Sequence, residues 1–426
     1  MKVKFFFLAL IFLMLKNIQA QDITYVKQIL DTLCSLTMHG RGYVNDGDLK
    51  AAEFIKNEFK KDSLLNFYNN YFQTFKKTIA TLPGKIDVSL GENKMIPAVD
   101  YLVAASSVSA KGNYKVVYLD SQIVSNKKTF NKFLESNYSN KFILLNREGI
   151  IDEEILNALD LIEYYNALKA KGIISISKEL VWKASDALKP SDNVKVIINK
   201  KSITSKIKNI TVDIEQETQT AHQLINVIGY IKGNIKPDSF IVFTAHYDHL
   251  GQMGKDVFFP GANDNATGTA MILDLAKYYS KHKPDYSIAF IALTGEELGL
   301  IGSSYYVKNQ LFRLSKIKFL INLDMVGSGD DGIKVVNGSI FEKEFNLLTK
   351  INDEKKYLKA IEKRGEAAIS DHYPFYKNGV KSFYIYTLGA GDGVYRYHNI
   401  KDVKEAVTFI KYNELFKLLT DFVKEL

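Results

Sequence analysis

Apolar and polar positions alternate along this chain with two periods. Near the amino end, Val26, Ile29, Leu30, Leu33 and Leu36 form one helical stripe, broken at Gly40-Arg41-Gly42. Leu49, Ala52, Phe54, Ile55 and Phe59 mark a second helix. Short alternating runs such as KIDVSL follow, separated by Pro83-Gly84 and Gly91-Glu92, and read as strands of a sheet edge or hairpin. From 106 to 206 the texture changes: KVVYLD, KFILLN, GIISIS and VKVIIN are strand-length apolar runs, and IEYYNALKAKG reads as a helix closing on glycine. This stretch contains no histidine, and its acids show no recurring position at strand ends, so it reads as an inserted non-catalytic unit.

From Asn226 strands and helices alternate to the end of the chain. NVIGYIKG and SFIVFTAH are followed by a helix at 266–281, YSIAFIALTGEE, a helix near 302–309, and IKFLINLDMVG. Helices at about 341–355 and 371–377, the strand SFYIYTLG and a last helix from about 404 complete the pattern. Such alternation predicts an α/β layered domain with a largely buried sheet.

The first twenty residues have Lys2 and Lys4 before an eleven-residue apolar run, Phe5 to Leu15, and end in Ile18-Gln19-Ala20. The run is shorter than the roughly 20 residues that span a bilayer, so 1–20 reads as a secretory signal peptide. The expected organisation is then 21–105 as the first part of a catalytic domain, 106–206 as the insertion and 207–426 as the remainder. Removing Lys2, Lys4 and Lys16 from 56 basic and 48 acidic residues lowers the net charge from +8 to +5. That excess is spread along the chain, which argues against a nucleic-acid partner. Cys34 is the single cysteine, so no disulfide within the chain is possible, and its apolar setting suggests a buried thiol.

Sorting polar residues by strand ends brings out the chemistry. Sites in open α/β sheets gather beyond the carboxyl ends of strands. SFIVFTAHYD ends in His246 and Asp248, YSIAFIALTGEE in Glu296 and Glu297, and KFLINLD in Asp324. Asp264 sits in the loop Gly-Ala-Asn-Asp-Asn, and Tyr397 and His398 follow the last strand. Imidazoles and carboxylates converging on one edge predict a metal site.

HYDHLG, PGANDNATG, TGEELGLIGS, INLDMVG, ISDHYPFYKNG and YHNIKD, in this order and spacing, resemble the zinc aminopeptidase family that also includes glutamate carboxypeptidases. SLTMHGRGYVNDGDLKAAEFIKNEF is similar to the amino-terminal region of secreted bacterial members, and the insertion resembles a protease-associated domain. The resemblance implies a mixed, mostly parallel sheet sandwiched by helices. It implies two zinc ions, one held by His246 and Asp324, the other by Glu297 and His398, with Asp264 bridging. It further implies Glu296 as general base toward a hydroxide shared by the metals, with Asp248 orienting His246.

Some roles stay open between chemistry and packing. Tyr397 suits either an oxyanion donor or an aromatic packing residue. Asp402 suits either orienting His398 or capping a helix, and Asp371 and His372 suit a cap and the pocket wall. The expected activity is a secreted or periplasmic aminopeptidase acting on peptides with a free amino terminus, without stable membrane insertion. Alternatives are a carboxypeptidase for small acidic peptides, a one-zinc glutaminyl cyclase, and an inactive binding scaffold.

Overall fold

The computed structural model describes residues 22–389 and 396–426; the predicted signal peptide and the glycine-rich residues 390–395 lie outside the described residues. The chain folds around two eight-stranded sheets. The principal sheet runs in the order Phe72–Thr81, Glu217–Ile231, Tyr286–Leu293, Lys236–His246, Ile317–Leu323, Ser382–Leu388, Gly332–Val336 and Ile361–Lys363.

The four strands from Tyr286–Leu293 to Ser382–Leu388 are mutually parallel. Antiparallel pairings border them on both sides. Within the parallel block His246 lies opposite Leu293, so successive strands stop at one edge and release their loops together.

Why these residues form this sheet follows from period-two alternation with both faces covered. Ile241, Phe243 and Ala245 face the larger core, with Ile288, Phe290, Ala292, Phe319, Ile321 and Leu323. The helices Ile23–Leu33, Gly47–Lys61, Thr267–Lys281, Glu342–Lys355 and Tyr412–Glu425 contribute to that core. Val242, Ala289, Ile291, Leu293 and Leu320 face the other way, against Tyr306 and Phe375 of the short helices Ile301–Lys308 and His372–Lys377. The predicted helix-covered, mostly parallel sheet is therefore present.

The second sheet takes its strands from 86–214, a wider span than 106–206. Ile86–Leu90, Tyr101–Val103 and Asn209–Ile214 pair into it. Alternation marks a segment such as Ile86–Leu90 as a strand but carries no information about which sheet it joins. One face of this sheet shares a core with the principal domain: Trp182, Val196 and Ile198 belong to the same cluster as Met253, Phe259 and Leu298.

Two helix boundaries differ from the periodicity reading. The helix expected over IEYYNALKAKG is Glu153–Tyr165, because Asn166 takes a left-handed conformation at its end. Its side-chain amide accepts from Ala170 N and donates to Ala170 O, closing the turn before the predicted glycine. The last helix is Tyr412–Glu425 rather than beginning near 404. Phe409 N and Lys411 N donate to Gly327 O and Ser328 O, so the preceding segment is held by the loop beyond Asp324. Among the described residues no helix is long and apolar enough to cross a membrane.

Phe290 is fully buried between Phe243, whose ring lies 5.8 Å away, and Phe59 at 6.5 Å. Phe290→Ala should cost about 3–5 kcal/mol through lost burial and the cavity left behind. Urea unfolding followed by circular dichroism checks this; an unchanged midpoint would contradict the packing described.

Candidate metal centre

The carboxyl edge of the parallel block gathers the predicted side chains. His246 ends one strand, Asp324 follows Leu323, and Glu296 and Glu297 lie just past Leu293. Asp264 sits in the loop before the helix Thr267–Lys281, and His398 follows the last strand of the block.

Two triads share one carboxylate. His246 Nε2 lies 3.3 Å from Asp264 Oδ1 and 3.3 Å from Asp324 Oδ1. His398 Nε2 lies 3.3 Å from Asp264 Oδ2 and 3.1 Å from Glu297 Oε2. Each oxygen of Asp264 thus faces a different imidazole, and each imidazole faces a second carboxylate. All five groups are buried. Buried carboxylates without cations are costly, and nitrogen and oxygen donors in two sets around a shared carboxylate fit a pair of zinc ions.

The surrounding bonds aim these donors. His246 Nδ1 donates to the main-chain oxygen of Asp248 at 3.1 Å, leaving Nε2 for a metal. The Asp248 carboxylate stands 3.7 Å from that nitrogen. Its oxygens instead accept from the Tyr43 hydroxyl and from Glu296 N, so Asp248 also fixes the turn carrying the two glutamates. Ser370 donates to Asp324 Oδ2 at 2.7 Å and leaves Oδ1 toward His246.

Asp402 does not meet His398. Its carboxylate accepts from Asn263 N and Asp264 N, holding the loop that presents Asp264. His398 Nδ1 donates to the main-chain oxygen of Trp182, in a connection of the second sheet, at 3.1 Å.

Two functional neighbours escaped the sequence reading. His249, fully buried, has Nδ1 2.8 Å from Glu297 Oε1. A donor atom from each of His249, Asp264 and Glu297 lies within 4.8 Å of the others. The signal was its place in HYDHLG, three residues past His246, which that reading left without a role. The second is Arg41, fully buried, whose guanidinium donates to the main-chain oxygens of Leu33, Tyr247, Pro260 and Gly261. It ties the amino-terminal segment to the loop before Asp264. Neighbouring glycines permit the approach: a Cβ on Gly40 would sit 2.4 Å from Phe259 O, and one on Gly42 2.4 Å from the Gly251 Cα.

Electrostatics follow this geometry. Burial pulls the His398 pKa down, but the charges of Glu297 and Asp264 override it and push it up to about 11. Burial likewise opposes protonation of His246, while Asp324 and Glu296 raise its pKa well above the usual value. Glu297 is raised by burial and then drawn down to about 2, chiefly by His398. Glu296 goes the other way, well above the carboxylate range, because burial and the charge of Glu297 outweigh His246. The adjacent glutamates are therefore shifted in opposite directions.

Tyr397 is 42% exposed, and its ring stacks on His398 with centroids 3.7 Å apart. Asp371 is buried behind the site and accepts from the Ser303 hydroxyl; burial raises its pKa to about 7. His372 is buried beside Tyr384, and burial lowers its pKa to about 4, as expected of a neutral wall residue. Cys34 is partly rather than fully buried, packed against the larger core, and burial raises its thiol to about 12, consistent with an inert side chain.

Residues 226–422 match peptidase family M28. The chain is 33% identical over 186 residues to aminopeptidase YwaD of Bacillus subtilis strain 168, covering 41% of this chain and 38% of that protein. The match thus spans less than two fifths of that curated relative. In structure the chain is similar to BSAP, a zinc aminopeptidase from Bacillus subtilis, with TM-score 0.69 and 22% identity over 95% of both chains. It is also similar to an aminopeptidase from Aneurinibacillus sp. strain AM-1, with TM-score 0.65 and 21% identity over 95% of this chain and 94% of that one. At these identities the structural likeness is one of fold.

The raised pKa values of His246 and His398 mean that both rings hold protons at neutral pH when no metal is present. Zinc requires the neutral ring, so binding must expel protons and apparent affinity must rise with pH. Titrating zinc into the metal-free chain near pH 7, in two buffers of different ionisation heat, should show release of about two protons. Binding without proton release would contradict the described electrostatics.

Proposed function

We propose that this chain, whose residues 226–422 match peptidase family M28, is an exported two-zinc aminopeptidase that removes residues from the free amino end of peptides. The observation that carries the proposal is Asp264, whose two oxygens each face one imidazole, each backed by its own carboxylate. His246, Asp264 and Asp324 would hold one zinc, and His398, Asp264 and Glu297 the other. The two complete triads argue against a one-metal cyclase. The name of the similar Bacillus subtilis protein supports the amino-terminal direction of cleavage.

Zinc ions held there supply Lewis-acid polarisation of the scissile carbonyl and lower the pKa of water toward neutrality. Glu296 is the proton carrier. Its carboxylate takes a proton from the attacking water and returns it to the leaving amine. The same pull toward the protonated form that burial and Glu297 exert on Glu296 favours this acceptance. Asp248 anchors the turn of Glu296 by accepting its main-chain N–H, keeping the base apart from the metal-facing Glu297. Tyr397, stacked over His398 at the open side, supplies a hydroxyl to the oxygen that gains charge.

In this reading residues 1–20 direct export, and the insertion is a protease-associated-like unit with 106–206 at its centre.

Turnover of aminoacyl substrates and their N-blocked counterparts, measured with the zinc content of the same sample, tests the proposal. The wild-type chain should hold two zinc ions and cleave only the unblocked set. Glu296→Gln should retain both ions and lose turnover by about 10²–10⁴-fold, the range for a general base. Equal cleavage of blocked substrates, or undiminished activity in Glu296→Gln, would reject the assignment.

A further inference from the structure

Metal-binding imidazoles need an acceptor for the ring nitrogen that does not bind. For His246 the acceptor comes from its own loop, two residues away. For His398 it comes from the connection between the second-sheet strands Gly172–Ser177 and Val194–Asn199, 216 residues away: Nδ1 donates to Trp182 O at 3.1 Å. The contact is reciprocal, since Trp182 N donates to His398 O at 3.0 Å. His398 has φ 54°, a left-handed conformation uncommon outside glycine, so its turn needs support from outside.

Trp182 is itself firmly seated. Its ring is buried, its indole N–H donates to Val103 O at 2.8 Å, and it stacks on Phe259 with centroids 4.9 Å apart and planes 13° apart. Val103 belongs to the second sheet. Phe259 belongs to the principal domain and leads through Pro260 and Gly261 to the Asp264 loop. One residue of the insertion therefore holds the turn of His398 through its main chain and packs on the segment that delivers Asp264.

We infer that the inserted unit is a positioning device for one metal: Trp182 orients the His398 ring, and thereby sets the affinity of the zinc bound by His398 and Glu297 without equally affecting the other. The two metals thus have separate supports. The imidazole of the first is held within its own strand-end loop, and that of the second by the seam between the sheets. A shift of the insertion against the principal domain alters the second site first. Trp182 is a positioning residue, since its side chain touches neither metal donors nor the reacting atoms.

The inference rests on the two-zinc reading, and one experiment separates the failure of each. Stepwise zinc titration of the full metal-free chain is compared for wild type, Trp182→Ala, Trp182→Phe and His398→Ala, with folding monitored by near-ultraviolet circular dichroism. Wild type should bind two zinc ions, and His398→Ala identifies the step that depends on that ring. Trp182→Ala should weaken that same step by about 10–100-fold, the usual effect of removing an outer support, and leave the other within about threefold. Trp182→Phe keeps the ring stack and gives up only the indole N–H; it should show the same selective loss at smaller size. If wild type binds fewer than two ions, the two-zinc reading fails. If wild type binds two and no selective loss appears in a folded Trp182 variant, or both steps weaken equally, the positioning role fails.

Discussion

Asp264 has to satisfy two imidazoles at once, and the architecture of the centre follows from that demand. A buried carboxylate bonded on both sides can serve two cations only if its backbone is immobile and its flanking rings cannot swing. The chain meets the first condition with Asp402, which accepts the main-chain N–H groups of Asn263 and Asp264. Arg41 adds its guanidinium donors to the same frame, binding main-chain oxygens of Leu33, Tyr247 and Pro260 and, within the loop, of Gly261 and Asp264. Burying a guanidinium is costly unless its donors are satisfied; here they bind the segments on either side of the site. The second condition is met by the Asp248 oxygen for one ring and the Trp182 oxygen for the other.

Parallel strands explain why the donors meet. Four neighbouring strands run the same way, so side chains far apart in sequence emerge at one edge. The burial that makes the sheet stable also removes water from the donors, strengthening their mutual pull. Opposed displacements of Glu296 and Glu297 express this: adjacent in sequence, one is pushed above the usual carboxylate range by burial and its neighbour's charge, the other drawn below it, chiefly by His398.

Much of this was legible in residue order. The apolar runs ending in His246, Glu296, Glu297 and Asp324 announced both the sheet and its chemical edge, because a buried parallel strand leaves a continuous hydrophobic signature. The structure brings His246, Asp264, Glu297, Asp324 and His398 together. What escaped the sequence depends on contacts between distant segments. No local pattern in Gly40-Arg41-Gly42 says that the arginine turns inward to bind carbonyls near 260, and nothing in LVWKAS indicates that Trp182 reaches His398. Asp402 lies four residues past His398 and could have served that ring; the turn directs it to the Asp264 loop instead. Strand membership was likewise hidden, since alternation marks Ile86–Leu90 as a strand but not its partner Asn209–Ile214.

Zinc-edge X-ray absorption on the purified full-length chain tests the central claim most directly. A shared Asp264 predicts nitrogen and oxygen neighbours at about 2.0–2.2 Å and a zinc–zinc vector at about 3.5–4 Å. A spectrum showing isolated zinc, with no metal scatterer at that distance in a sample holding two ions per chain, would contradict it.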